Sequence, residues 1–328
     1  MSSRFLLAQL IFQSLKDKTT PGKLRKALKQ LVEQNTGQGG DQKLKVFSLT
    51  YDQTMERINS QLDDLRELAT LVLVWITCAT RPLTTPKLQH ALAVEPGDNE
   101  FDQDNLPDVQ DMVSACVGLV TVEDESDIIR LVHYTGQEYF EQTQQRWFPD
   151  AEDGISLRCV TYLSLIDFDV GWCHEYEDFL NRLQSYPLYQ YAGGNWAHHT
   201  NKASTVADAV LRFLLSAPHA EAASQLVHAQ LWGDGGLYKD SSMPGLHLAV
   251  HLGAAEAIPS SDREVRPGRK RSEPLRSIAS SLPHPRCPMT PPLGMTMLPL
   301  EPTVIGPYPG QPAVLVRHPP AGPGQAGV

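Results

Sequence analysis

The chain has 328 residues, 41% of them hydrophobic and 20% charged, with a formal net charge of −10; it is long enough to bury a real core and to form about two domains. Its five cysteines, Cys78, Cys116, Cys159, Cys173 and Cys287, are odd in number and never spaced as C-x-x-C, which argues against a disulfide framework and a zinc knuckle and fits a reducing compartment such as the cytoplasm. Charge is uneven: residues 259–328 carry 8 Lys+Arg against 4 Asp+Glu, whereas residues 1–258 carry 20 against 34, so the part expected to fold is acidic.

The opening "MSSRFLLAQLIFQSL" places one Arg before an apolar octet, lacks a small-residue cleavage site and is interrupted by Gln9 and Gln13, so it predicts an amphipathic helix rather than a leader. Leu7, Ile11 and Leu15, then Leu24, Leu28 and Leu31, predict helices over 3–15 and 23–33, with "TTPGK" as the turn between them. Residues 36–48, "TGQGGDQKLKVFS", show no period and are expected to be a loop or insertion, so 1–50 is a helical remnant with an irregular insertion over 36–50. From 55 onward, Ile58, Leu62, Leu65, Ala69, Val72 and Ile76 repeat by four and three, which predicts one continuous helix. The run "LATLVLVWITCA" at 68–79 is too short for a membrane span, which needs about 20 residues, and is expected to be buried.

Thr85-Pro86 reads as an N-cap with proline at the first helical position, opening a short helix through Leu88 and Leu92. Pro107 and Asp108 open a third, with Val109, Met112, Val113 and Cys116 on one side and Gly118 at its end. "LVTVEDESDIIRLV" holds two β-branched runs around a five-residue acidic connection, which predicts a hairpin. Helices followed by a hairpin give the winged-helix order, assigned to residues 51–150.

Residues 154–232 read as helical throughout, broken at Gly171, Pro187 and Pro218, so 151–240 is a helical array with aromatics where helix pairs would meet. "LHLAVHLGAAEAI" at 246–258 matches the opening of an ankyrin repeat, with Gly253 at the turn; the partial repeat is assigned to 241–258. One such unit cannot bury its own apolar face. Residues 259–328 hold 16 of the 25 prolines, lack any period and are expected to be a disordered Pro-rich tail. A shifted reading frame or a retained intron would produce such an ending, and "RPGRKR" at 266–271 has the composition of a nuclear signal. The fold class is therefore mostly α: winged helix, helical array, one partial ankyrin repeat, disordered tail.

The function classes narrow by chemistry. Residues 88–129, covering the third helix and the first wing strand, contain no Lys or Arg and 11 Asp+Glu. Phosphate contacts come chiefly from those two cations, so no nucleic acid partner is expected and the third helix should pack on protein. No G-x-S-x-G and no G-x-x-x-x-G-K-[ST] occurs, so neither an esterase serine turn nor a Walker cradle is present; the chain is expected not to be an enzyme. Cys173-His174 and His198-His199 read as packing or surface residues rather than a metal site, and no cofactor is expected. His133, in "RLVHYTGQEYF", stands where the second hairpin strand gives way to a helix. Two readings stay open: its ring caps that helix, or it presents a nitrogen to a phosphate oxygen brought by another domain.

"DLRELATLVLVWITCATRPLTTPKLQHALAVEPGD", "DNLPDVQDMVSACVGLVTVEDESDIIRLVHYTGQEYFEQT" and "YPLYQYAGGNWAHH" resemble the segment between the NACHT ATPase domain and the ankyrin repeats of filamentous-fungal NACHT–ankyrin proteins of the STAND class. The central stretch resembles the winged helix named after GPI inositol-deacylase. The likeness covers about residues 1–35 and 51–258; residues 36–50 and 259–328 depart from it. It implies that the winged helix packs against a nucleotide-binding domain and that His133 contacts the ADP β-phosphate, with Gln137, Glu138, Tyr139 and Phe140 completing the helix that follows. Gly136 stands where the family commonly has threonine or another side chain, which loosens the first helical turn. Trp196 and His247 join Gln137, Glu138, Tyr139 and Phe140 as expected interaction residues.

The chain starts at what resembles the trailing helices of the NACHT domain, so the expectation is a non-enzymatic regulatory fragment with protein partners, among them a NACHT domain supplied in trans. The rivals are a lipase-like GPI inositol-deacylase fragment, which the missing serine motif disfavours, and a DNA-binding winged helix, which the acidic charge disfavours.

Overall fold

The computed structural model describes residues 20–26, 29, 40–232 and 242–254. The expected helix over 3–15, most of the one over 23–33, the end of the ankyrin-like stretch at 255–258, Cys287 and the Pro-rich tail with its "RPGRKR" lie outside the described residues; residues 21–26 are helical. The fold is mostly α, a winged helix followed by a helical array.

Helix α1 spans Gly40–Asn59, so the stretch expected to be a loop to residue 48 is helical from Gly40. The signal is the spacing of Phe47, Tyr51, Met55 and Ile58, whose side chains pack into the core. Helix α2 spans Asp63–Cys78, and the single helix expected across both is broken at Ser60–Leu62. Ser60 turns its hydroxyl back onto the carbonyls of Glu56 and Arg57 at 2.7 and 3.0 Å, and Gln61 Nε2 donates to the Ala115 carbonyl at 2.9 Å. Leu62, placed by its spacing on the core stripe, is 78% exposed. Beyond it, Ala69, Val72, Leu73, Val74 and Trp75 are buried, and among the described residues no helix is long and apolar enough to cross a membrane.

Helix α3 spans Thr85–Ala93, with Thr84 rather than Thr85 at the cap position and Pro86 in the first turn. Thr85 is instead held by the wing: its amide and its hydroxyl both donate to the Asp127 carbonyl, at 2.7 and 3.0 Å. After a short 3₁₀ turn at Gln103–Asn105, helix α4 spans Val109–Ala115, and Asp108 caps it by accepting from the Gln110 amide at 2.7 Å. The chain then leaves the helix through two left-handed residues, Val117 at φ 50° and Gly118 at φ 84°.

The wing is β1, Val120–Glu123, antiparallel to β2, Ile128–Leu131, in the register Val120 opposite Leu131. The acidic connection is thus residues 124–127, one shorter than expected. Thr84 adds a bridge to Ile128, which binds the start of α3 to the sheet edge. Helix α5 spans Tyr134–Trp147.

The array follows as α6 Ala151–Leu163, a 3₁₀ turn at Ile166–Phe168, α7 Tyr176–Ser185, α8 Tyr189–Thr200, α9 Ala207–Leu215 and α10 Ala217–Trp232. Gly171, at φ 72°, and Pro187 fall at breaks as expected. Pro218 does not: it is the second residue of α10, where its missing N–H costs nothing, and the break is at Ser216. Helix α8 packs on α6 and α10, and α6 reaches back to α2, so one apolar core runs through wing and array.

The ankyrin-like stretch gives α11, Gly245–His251, ending at Gly253 with φ 76°. It lies on α9 and α10 so closely that a Cβ at Gly245 would collide with the Leu214 carbonyl.

Candidate functional site: the His133 corner

The corner is built by the end of β2. Its last tie to the sheet is the Val132 amide, which donates to the Leu119 carbonyl at 2.9 Å. His133 is extended, with φ −150° and ψ 147°, and caps α5. Its Nδ1 accepts from the Thr135 amide at 3.2 Å and lies 2.9 Å from the Thr135 hydroxyl. The capping reading of His133 is therefore what the geometry shows. The Thr135 hydroxyl also lies 2.9 Å from that of Tyr51 on α1, and the Tyr51 ring stacks on Tyr139 with centroids 4.9 Å apart.

His133 is 8% exposed, whereas its neighbour Tyr134 is 63% exposed and lays its ring over the imidazole at 4.3 Å. Burial lowers the imidazole's proton affinity below its ordinary value, against the opposing effect of the Glu138 carboxylate.

The two residues form a ridge between two depressions. On one side a groove of about 810 Å³ is walled by Val113 of α4 and Val117 after it, by Val120 and Arg130 of the wing, and by His133 and Tyr134. On the other a cleft of about 240 Å³ is lined by Trp75, Leu83, Leu88, Ile129 and Gln137 with the same pair. Arg130, the cation in both linings, is bound to Glu123 at 2.6 Å. The groove is thus walled by valines together with Ser114 and Thr121, with Arg130 paired, a mixed surface suited to protein contact.

The other expected interaction residues are not brought to one face. Gln137 is partly buried, with its amide 3.4 Å from the Thr77 carbonyl and 3.1 Å from Glu141, and Glu138 is exposed. Tyr139 and Phe140 are buried, Phe140 completely, so they serve the core rather than a surface. Trp196 is likewise fully buried, edge-on to Phe213 at 5.4 Å. An aromatic at helical spacing carries the same sequence signal whether it faces a partner or a neighbouring helix, and here it faces α9. His247 is half-buried on α11, away from the His133 depressions.

Sequence reasoning missed Tyr51, Thr135 and Tyr134. Thr135, two residues after His133, carries a local signal of a helix start; Tyr51 carries none.

The other histidine cluster is structural. His199 is fully buried, with Nδ1 2.6 Å from Glu152 Oε2 and Nε2 2.8 Å from the Tyr191 hydroxyl, which accepts from the Thr80 amide at 3.1 Å. His198 and His174 are exposed, and Cys173 is buried with its backbone amide and carbonyl bonded to Gln225. Among the described residues no group of three or more His, Cys, Asp or Glu is placed to hold a metal. Cys116 and Cys159 are buried, which raises both thiols above their ordinary value and keeps them protonated.

Neither the curated proteins nor the solved structures contain a match to the chain. Residues 55–147, from the last five residues of α1 to the end of α5, match the family model described as GPI inositol-deacylase, winged helix domain, and the central region of the chain is similar to that winged helix.

Proposed function

We propose that the chain is a non-enzymatic regulatory module of the cytoplasm whose winged helix docks on a protein partner through the His133–Tyr134 ridge. The partner, following the resemblance to NACHT–ankyrin proteins, is a NACHT nucleotide-binding domain supplied in trans, with the pair serving as part of a nucleotide-dependent signalling switch. The observation that carries this reading is the valine-walled groove of about 810 Å³ beside an exposed tyrosine and a histidine that caps α5. Recognition of that kind needs an aromatic anchor beside a preformed depression.

The acidic charge of residues 88–129 favours protein over duplex as the partner. The protonated state of the buried thiols favours docking over nucleophilic chemistry.

The test is calorimetric titration of the full chain with an ADP-loaded recombinant NACHT domain from a fungal NACHT–ankyrin protein. Saturable binding that Tyr134→Ala weakens by about tenfold, or roughly 1.4 kcal/mol, supports the reading. Absence of binding, or ester hydrolysis by the chain alone, overturns it.

A further inference from the structure

We propose that the hydroxyls of Tyr51 and Thr135 are positioning groups for His133: they hold its ring as the Nε2–H tautomer and make the state of the corner depend on where α1 lies. The proposal rests on the docking reading only for the use to which that Nε2–H is put.

The polarity follows from counting protons. The Thr135 amide has only a proton to give, and it points at His133 Nδ1 at 3.2 Å, so Nδ1 must offer its lone pair. In a neutral imidazole the proton then sits on Nε2. The Thr135 hydroxyl, 2.9 Å from the same nitrogen, cannot receive a proton from it and therefore donates. That leaves the Thr135 oxygen as an acceptor, and the Tyr51 hydroxyl at 2.9 Å donates to it. In this direction, Tyr51 to Thr135 to Nδ1, each proton has an acceptor. Burial raises the Tyr51 phenol above its ordinary value, which keeps it a donor.

The chain of hydroxyls spans elements far apart in sequence. Tyr51 is on α1 and 84 residues from Thr135, and it is seated by its stack on Tyr139. The next residue, Asp52, accepts from the Tyr139 hydroxyl at 2.7 Å and from Arg146 at 2.8 Å. Two consecutive residues of α1 thus hold that helix to α5, and one of them supplies the proton that fixes the Thr135 rotor. A displacement of α1 would remove the Tyr51 donor and the Asp52 acceptor together, free the Thr135 hydroxyl to rotate, and leave Nδ1 without the donor that this hydroxyl supplies beside the backbone amide. The ridge that meets the partner is in this way answerable to a helix that touches neither depression.

The experiment reads the His133 ring nitrogens by ¹⁵N NMR in the full chain at pH about 8, above the ordinary imidazole range, with His133→Asn to assign the signals. The expected result is an unprotonated Nδ1 and a protonated Nε2. Thr135→Val should draw the two signals toward each other and Thr135→Ser should restore their separation. Tyr51→Phe, which keeps the stack on Tyr139, should give a smaller shift in the same direction. If Thr135→Val loses the folded amide fingerprint, Tyr51→Phe decides. A protonated Nδ1 in the wild type, or hydroxyl-deleting variants that leave the ring signals unmoved, overturns the proposal. Because these signals come from the free chain, an absence of NACHT binding rejects the docking reading without touching this one.

Discussion

The Tyr139 hydroxyl donates to Asp52 Oδ1 at 2.7 Å and accepts from Trp147 Nε1 at 2.8 Å. One phenol thereby connects α1 to the middle and the last residue of α5, and Arg146 reaches the same Asp52 oxygen at 2.8 Å. Burial and the Asp52 carboxylate push the phenol well above the tyrosine range, so it is a donor at neutral pH. Tyr139→Phe deletes a hydrogen bond to a charged acceptor and takes the acceptor from a partly buried indole N–H. Urea denaturation should show a loss of about 2–3 kcal/mol, with an m-value unchanged.

Gly136 lies in the first turn of α5, where the lack of a side chain costs helix stability and nothing in the backbone requires glycine. A Cβ there would meet Leu131 Cδ1 and the Tyr51 hydroxyl at 3.5 Å, ordinary contact distances. Gly136→Ala should therefore stabilise the chain by about 0.5–1 kcal/mol, read by calorimetry as a rise in Tm of roughly 1–4 °C. A fall would show that those neighbours cannot give way.

His90 on α3 is stacked on Phe101 at 4.4 Å, with Nδ1 2.8 Å from the Tyr162 hydroxyl. Burial lowers its pKa from 6.5 to about 4. The ring is neutral in the fold and protonates more readily in the unfolded chain, so the unfolded state takes up protons first as pH falls. Stability should decline from pH about 6.5 toward about 4, by on the order of 1–2 kcal/mol once solvent screening is allowed for. A urea midpoint series against pH should show that slope, and His90→Asn should flatten it.

Glu152 in the first turn of α6 behaves in a further acid range. Burial raises its carboxyl, but the hydrogen bond and charge of His199 and the ammonium of Lys202 at 3.1 Å outweigh this and leave it below the ordinary 4.5. With the folded value depressed, its contribution is present above pH 4.5 and is lost as pH falls through that lower folded value. Glu152→Gln keeps an acceptor for His199 but removes the charge. It should cost about 1–2 kcal/mol near neutral pH and remove that low-pH loss, as measured by thermal unfolding over an acid series.

The elements that the sequence made plain are those with chemistry at their ends. Asp108 caps α4 and Gly118 releases it, and β-branched runs on either side of acidic residues give the wing. What was hidden depended on contacts distant in the chain. The apolar spacing of Ile58, Leu62 and Leu65 runs smoothly across the break between α1 and α2, where the Ser60 hydroxyl turns back onto the carbonyls of Glu56 and Arg57 and Gln61 bonds to Ala115, 54 residues on. At the site, His133 was legible because a histidine at a strand-to-helix corner has few roles open to it. Its cap is local, whereas the Tyr51 hydroxyl behind it is not. Tyr139, Phe140 and Trp196 were legible as important and not as buried, since helical periodicity alone does not say which faces find a neighbour.

Val117 stands in the left-handed region at φ 50°, where a β-branched residue is strained by on the order of 1–3 kcal/mol, and its side chain forms part of the wall beside His133. Glycine or asparagine would sit there with less effort and would leave that wall bare. Robustness and recognition thus pull against each other at one residue, and variants selected only for heat resistance would tend to erase the contact surface.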